Sequence, residues 1–150
     1  MAPSTARAVV LLPIQPRYAE PILGGLKRVE FRKRVFRRDV SHVVVYSSSP
    51  VKQVVGFFEI RGIDEDSPEH LWRRYSREGW IEKEDYDRYY SRTARGVAIQ
   101  VGKVHVFQRP FPLDELQADL RPPQSYAYLS QRIFARLQSR RLRAASSTAK

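Results

Sequence analysis

Apolar residues in this chain come in short runs, broken every few positions by proline, glycine or serine, and that rhythm predicts strands more than helices. Residues 8–12 (AVVLL) are continuously apolar and stop at Pro13, as expected of a buried first strand. In residues 15–25, Pro16 suits a helix start, Tyr18, Ala19, Ile22 and Leu23 make an apolar face, and Gly24-Gly25 can end the helix; Pro21 removes an amide donor and keeps it short. Residues 26–32 alternate, with Leu26, Arg28, Glu30 and Arg32 on one side and Lys27, Val29 and Phe31 on the other, the period of a strand. Residues 42–46 and 51–63 read as two more strands joined by Ser47-Ser48-Ser49-Pro50, with Gly56 at a bulge or bend.

Downstream, Ser67-Pro68-Glu69 opens a helix with Leu71, Trp72 and Tyr75 on its apolar side. Residues 82–92 predict a second, more charged helix, with Tyr86, Tyr89 and Tyr90 spaced for one face; Trp72 and Trp80 are expected in the core. Residues 96–101 and 103–107 are strand-like and hinged at Gly102, residues 109–112 must be extended, and residues 121–125 form a proline-stiffened loop. Residues 128–143 have helical potential, and the small polar residues beyond Ala144 suit a disordered tail. About six short strands with few helices predict an α+β, mostly β domain: a small mixed β-barrel with flanking helices. The expected layout is a flexible N-terminus (1–7), one domain (8–130), and a basic C-terminal helix with its tail (131–150).

Charge changes this picture. The 150 residues hold 27 Lys and Arg against 16 Asp and Glu, a formal +11, which favours a polyanionic partner. The charge is also segregated. Residues 26–38 carry Lys27, Arg28, Arg32, Lys33, Arg34, Arg37 and Arg38 against Glu30 alone, whereas residues 64–90 carry nine acidic residues against five basic. The chain has no cysteine, so disulfides, thiolate nucleophiles and sulfur-ligated zinc are excluded. Its apolar runs are far shorter than the roughly 20 residues of a membrane span, its first residues lack a secretory pattern, and a cytoplasmic location is expected. His42, His70 and His105 show no metal-ligand spacing; no metal or other cofactor is expected.

Three separated pieces of sequence carry a resemblance. Residues 25–32, Gly-Leu-Lys-Arg-Val-Glu-Phe-Arg, resemble the G-x-K-x-x-E-x-R stretch of ASCH domains, and they follow a helix of the family's P-x-Y-A-x-x-I-x-x-G form at residues 16–25. Tyr46-Ser47-Ser48-Ser49-Pro50 with Gly56 downstream, and Arg121-Pro122-Pro123-Gln124-Ser125, add to the match, which spans about residues 9–129. The resemblance implies a PUA-like barrel with a cleft, in a superfamily associated with RNA binding, transcriptional coactivation and modified bases. Some small ASCH proteins are amidohydrolases that deacetylate acetylated cytidine with a lysine, a threonine and a distal glutamate. Lys27 matches that lysine, but Glu30 occupies the threonine position, and a carboxylate changes the chemistry; Glu69 is a candidate for the distal glutamate. Ribonuclease activity is also attributed to ASCH relatives.

From these residues the leading expectation is an RNA- or DNA-binding module, or one that recognises a nucleotide. Lys27, Glu30 and Arg32 would read a nucleotide, with Ser47, Ser48, Ser49, Gln124 and Ser125 presenting polar groups and Lys33, Arg34, Arg37 and Arg38 holding phosphates. Tyr126 and Tyr128 are candidate stacking residues, and Arg132 to Arg143 a candidate basic arm. The alternative is a hydrolase on a modified nucleoside or on RNA, with Lys27 as catalytic cation and Glu30 as acid or base. A third expectation is a protein-interaction module that uses the acidic helices of residues 67–92. Oligomeric state is left open.

Overall fold

A computed structural model describes residues 7–144. Its elements run β1 (Ala8–Ile14), α1 (Pro16–Leu23), β2 (Val29–Arg32), β3 (Val40–Ser47), β4 (Gln53–Asp66), α2 (Pro68–Tyr75), α3 (Lys83–Tyr89), β5 (Gly96–Phe111), β6 (Ala127–Leu129) and α4 (Gln131–Gln138). The six strands form one sheet in the order β2-β5-β4-β3-β1-β6. β1 and β3 run parallel and every other pairing is antiparallel. Backbone pairing leaves β2 and β6 as the two edges, so the sheet is mixed and helix-flanked as expected, but it is not closed into a barrel.

The uninterrupted apolar run of β1 is explained by burial on both faces. Ala8, Val10, Leu12 and Ile14 enter one core with Ile22, Val43, Val45, Phe58 and Ile99. Val9 and Leu11 enter the other, with Phe57, Phe107, Phe134 and Leu137. A third cluster, built on Phe31, Leu71, Tyr75, Tyr86 and Tyr90, lies where α2 and α3 cover the β2 end of the sheet. The helical insertion is capped as its sequence suggests: Pro68 follows Ser67, whose hydroxyl accepts from the His70 amide at 3.2 Å.

Three boundaries and one burial differ from the sequence expectation. β2 begins at Val29, not residue 26, because the Leu26 and Lys27 amides both donate to the Pro21 carbonyl at the end of α1, and those of Arg28 and Val29 to Glu78. The stretch from Gly96 to Phe111 is one bent strand without a hinge at Gly102; that glycine is needed because a Cβ there would lie 2.7 Å from the Glu59 carbonyl oxygen. The expected helix of residues 128–143 is β6 followed by a shorter α4, after which the chain returns to β5, with the Gln108 amide donating to Arg141 and that of Arg143 to Val106. Trp80 is exposed, not in the core. The expected flexible N-terminus falls, but for Arg7, outside the described residues, and the expected disordered tail lies wholly outside them.

The third cluster sets an alkaline limit on stability. The Tyr86 hydroxyl donates to the Pro68 carbonyl at 2.6 Å and that of Tyr90 to Arg32 at 2.7 Å, and burial pushes the Tyr86 hydroxyl up to about 12 and raises that of Tyr90 as well. The unfolded chain ionises these groups near pH 10, so the stability they supply is complete below that value and is lost as pH rises toward 12. Urea midpoints measured from pH 10.5 to 12 should fall steadily. Tyr86→Phe should cost about 1 kcal/mol at pH 7, where it leaves the Pro68 carbonyl unpaired, and should flatten the alkaline fall.

Candidate functional site

The turn out of α1 directs Lys27 inward, and its side chain is only 2% exposed. The ammonium donates to the carbonyl oxygen of Gly79, in the loop between α2 and α3. It lies 3.7 Å from Glu30 Oε1, 5.0 Å from the centre of the Tyr18 ring and 5.6 Å from that of Phe31. Burial pulls the Lys27 pKa below its ordinary value; the Glu30 carboxylate works against that shift, and the Arg32 charge adds to it. Glu30 is itself buried, and its Oε2 accepts from Arg32 Nε at 3.0 Å, while the Arg32 guanidinium also donates to the Pro13 carbonyl at 2.6 Å. One carboxylate thus serves two basic side chains.

A cavity of about 210 Å³ opens over this cluster. Its lining includes Tyr18, Lys27, Glu30, Arg32, Ser48 and Tyr89, with Arg17 and Asp85 also at its walls, 3.5 Å apart. A second cavity, of about 290 Å³, shares Arg32 and Tyr89 with the first and is lined by Lys33, Arg34, Gln124, Ser125 and Tyr126. Two neighbouring recesses therefore meet at Arg32, with cations in both.

Most of the residues picked from the sequence meet here, and some do not. Lys27, Glu30, Arg32 and Ser48 share the first cavity, and Arg32, Lys33, Arg34, Gln124 and Ser125 the second. Arg37 and Arg38 are exposed and line neither; the Arg38 guanidinium sits 4.8 Å from the Tyr128 ring, and its amide donates to the Tyr128 hydroxyl. Ser47 is buried at the end of β3 and borders a different recess with Glu20, Gln53 and Arg143, and Ser49 is exposed in the turn. Consecutive residues of a strand and turn point in different directions, so the three serines cannot act as one loop. Strict alternation would likewise separate Lys27 from Glu30; they meet because Lys27 precedes the strand.

Sequence reasoning missed the walls. By periodicity Tyr18 is an apolar helix position and Tyr89 belongs with Tyr86 and Tyr90; in the structure Tyr86 and Tyr90 are buried in the third cluster, whereas Tyr89 packs against that cluster and also lines both cavities. Only the Tyr in the helix motif before β2 carried a signal; nothing in the sequence marked Gly79. Among the described residues no helix is long and apolar enough to cross a membrane.

Open mixed sheet, flanking helices and a cavity lined by charged side chains between the first helix and an edge strand define a small α+β domain. Residues 7–117 match the family described as "Domain of unknown function (DUF365)". Over 127 residues the chain is 33% identical to a protein of Zymomonas mobilis named "ASCH domain-containing ribonuclease", covering 82% of this chain and 85% of that relative. The crystal structure of ASCH from Zymomonas mobilis matches with a TM-score of 0.80 at 31% identity, over 89% of this chain and 96% of that one. The N-terminal domain of Staphylothermus marinus McrB, 11% identical with a TM-score of 0.54 over 93% of this chain and 98% of that one, shares the fold alone. The chain belongs to the ASCH domain family.

Proposed function

We propose that the chain binds RNA, seating one nucleotide in the cavity over Lys27, Glu30 and Arg32 and holding the flanking phosphates with Lys33 and Arg34. The observation that carries this reading is the buried cluster of two cations around one carboxylate, opening beside a second cation-lined recess. Lys27 and Arg32 supply donors, Glu30 an acceptor, and Tyr18 and Tyr89 aromatic surface, the mixture a nucleotide needs. The name of the Zymomonas mobilis relative supports RNA over DNA as the partner. Gln124 and Ser125 add polar groups at the second recess, Ser48 adds one at the first, and a cytoplasmic site of action goes with the reading.

The test is the salt dependence of binding to a labelled unpaired RNA. Each phosphate contact contributes about 0.7 to the slope of log affinity against log salt for a single strand. Lys33→Ala with Arg34→Ala should therefore lower that slope by about 1.4, while Arg37→Ala with Arg38→Ala should change it less. Binding that ignores salt, or that prefers duplex DNA, would overturn the reading.

A second reading, RNA cleavage, is favoured by that same relative's name. Here Glu30 takes the proton of a 2′-hydroxyl whose oxygen attacks the adjacent phosphorus. The 5′-oxygen leaves and receives a proton from Lys27, which returns to the charged state through solvent. Incubation of labelled RNA with the protein in the presence of a chelator separates the readings: cleavage lost in Lys27→Ala supports the enzyme, and intact RNA supports binding alone.

A further inference from the structure

The segment that fastens Lys27 also presents an aromatic side chain that no part of the cavity uses. Trp80 is 49% exposed and takes φ +48°, a left-handed conformation in which a bulky residue is unusual. No aromatic or cationic partner meets its ring among the described residues. Both neighbours are committed to the cleft. Gly79 accepts the Lys27 ammonium through its carbonyl and has no room for a side chain, since a Cβ would lie 2.4 Å from the Phe31 ring, and Ile81 lines the cavity. Glu78, one residue further back, is tied by its carbonyl to the amides of Arg28 and Val29 at the start of β2. Trp80 is thus held between the Lys27 anchor at Gly79 and the cavity-lining Ile81 by a backbone anchored on both sides.

If the turn needed only a left-handed residue, glycine or asparagine would fill it without strain. The exposed indole is unexplained by packing. Arg77, three residues before Trp80 in the same connection, and Arg28, whose amide donates to the Glu78 carbonyl, are exposed and make no ion pair among the described residues, so the surroundings suit a polyanion better than an apolar protein surface.

We propose that Trp80 is a stacking platform for an unpaired base of the RNA strand, the base adjacent to the nucleotide in the Lys27 cavity. This rests on the RNA reading above. Stacking on an aromatic face tolerates any base and requires the strand to be single, because a paired base is already stacked. Trp80 would make the protein select unpaired RNA, while the cations set its salt dependence.

The experiment uses the full chain, a labelled twelve-nucleotide RNA of mixed sequence, and the same RNA annealed to its complement. Trp80→Ala should weaken binding to the single strand about 10-fold, Trp80→Phe about 2-fold, and neither should change the salt slope. Trp80→Gly removes the ring while relieving the backbone, so it should be at least as stable as the parent and bind as weakly as the alanine variant. In a Trp72→Phe background the remaining indole emission should be quenched by the single strand and not by the duplex. The inference is overturned if the Trp80 variants bind like the parent, if only the salt slope changes, or if Trp80 proves to mediate self-association instead. Parent protein that binds neither RNA overturns the RNA reading along with it, whereas parent binding lost in Lys27→Met but kept in Trp80→Gly overturns this inference alone.

Discussion

Lys27→Met should weaken RNA binding about 100-fold, the loss expected when a charge-assisted hydrogen bond is removed from a desolvated site. Methionine nearly matches the lysine stem in length and is apolar, so the packing against Tyr18 and Phe31 can persist while the donor disappears. Stability should fall by less than the change suggests, about 2 kcal/mol, since the Gly79 carbonyl loses its donor but the cost of burying an ammonium is also removed. Glu30 keeps its partner in Arg32. Binding isotherms and urea midpoints at pH 7 check the two effects separately. A variant that loses the stability and keeps the affinity would make Lys27 a structural tether of the Gly79 loop.

Glu30→Gln is the harsher change for the fold. It leaves Lys27 and Arg32 facing each other in a buried site without the carboxylate that balances them, and loss of one partner from such a cluster costs about 3 kcal/mol. The cost should depend on pH with a definite sign. In the folded chain Lys27 already gives up its proton below the 10.5 of an ordinary lysine, so between its folded value and 10.5 the unfolded chain holds more protons and stability rises with pH. Removing Glu30 takes away the main charge that keeps that proton in place, which lowers the folded value further and extends the window toward neutrality. The deficit of the variant relative to the parent should therefore be largest near pH 7 and shrink by pH 10. Tyrosine ionisation acts on both proteins and cancels in the comparison. Equal deficits at pH 7 and pH 10 would show that the Lys27 charge plays no part.

About half of the site on which these effects depend is legible in the sequence. Glu30 and Arg32, two apart on one strand, are brought within 3.0 Å as their spacing suggests. Strand periodicity puts Lys27 and Glu30 on opposite faces, and their meeting at 3.7 Å depends on where β2 begins, which is decided by the Pro21 and Glu78 carbonyls. Lys33, Arg34, Arg37 and Arg38 form one basic footprint in the sequence, yet the loop takes Lys33 and Arg34 to the second recess and carries Arg38 on to Tyr128.

Local chemistry is short-ranged, and that is why the sequence alone sufficed for some features. The apolar run of β1, the proline start of α1, the serine cap of α2 and the absence of thiol chemistry each depend on residues a few positions apart, whose preferences act before any distant contact forms. The order of strands, the open edges of the sheet, the Gly79 carbonyl that receives Lys27 from 52 positions away, and the exposure of Trp80 were decided by tertiary structure. They depend on which apolar faces find each other, and no local pattern encodes the partner.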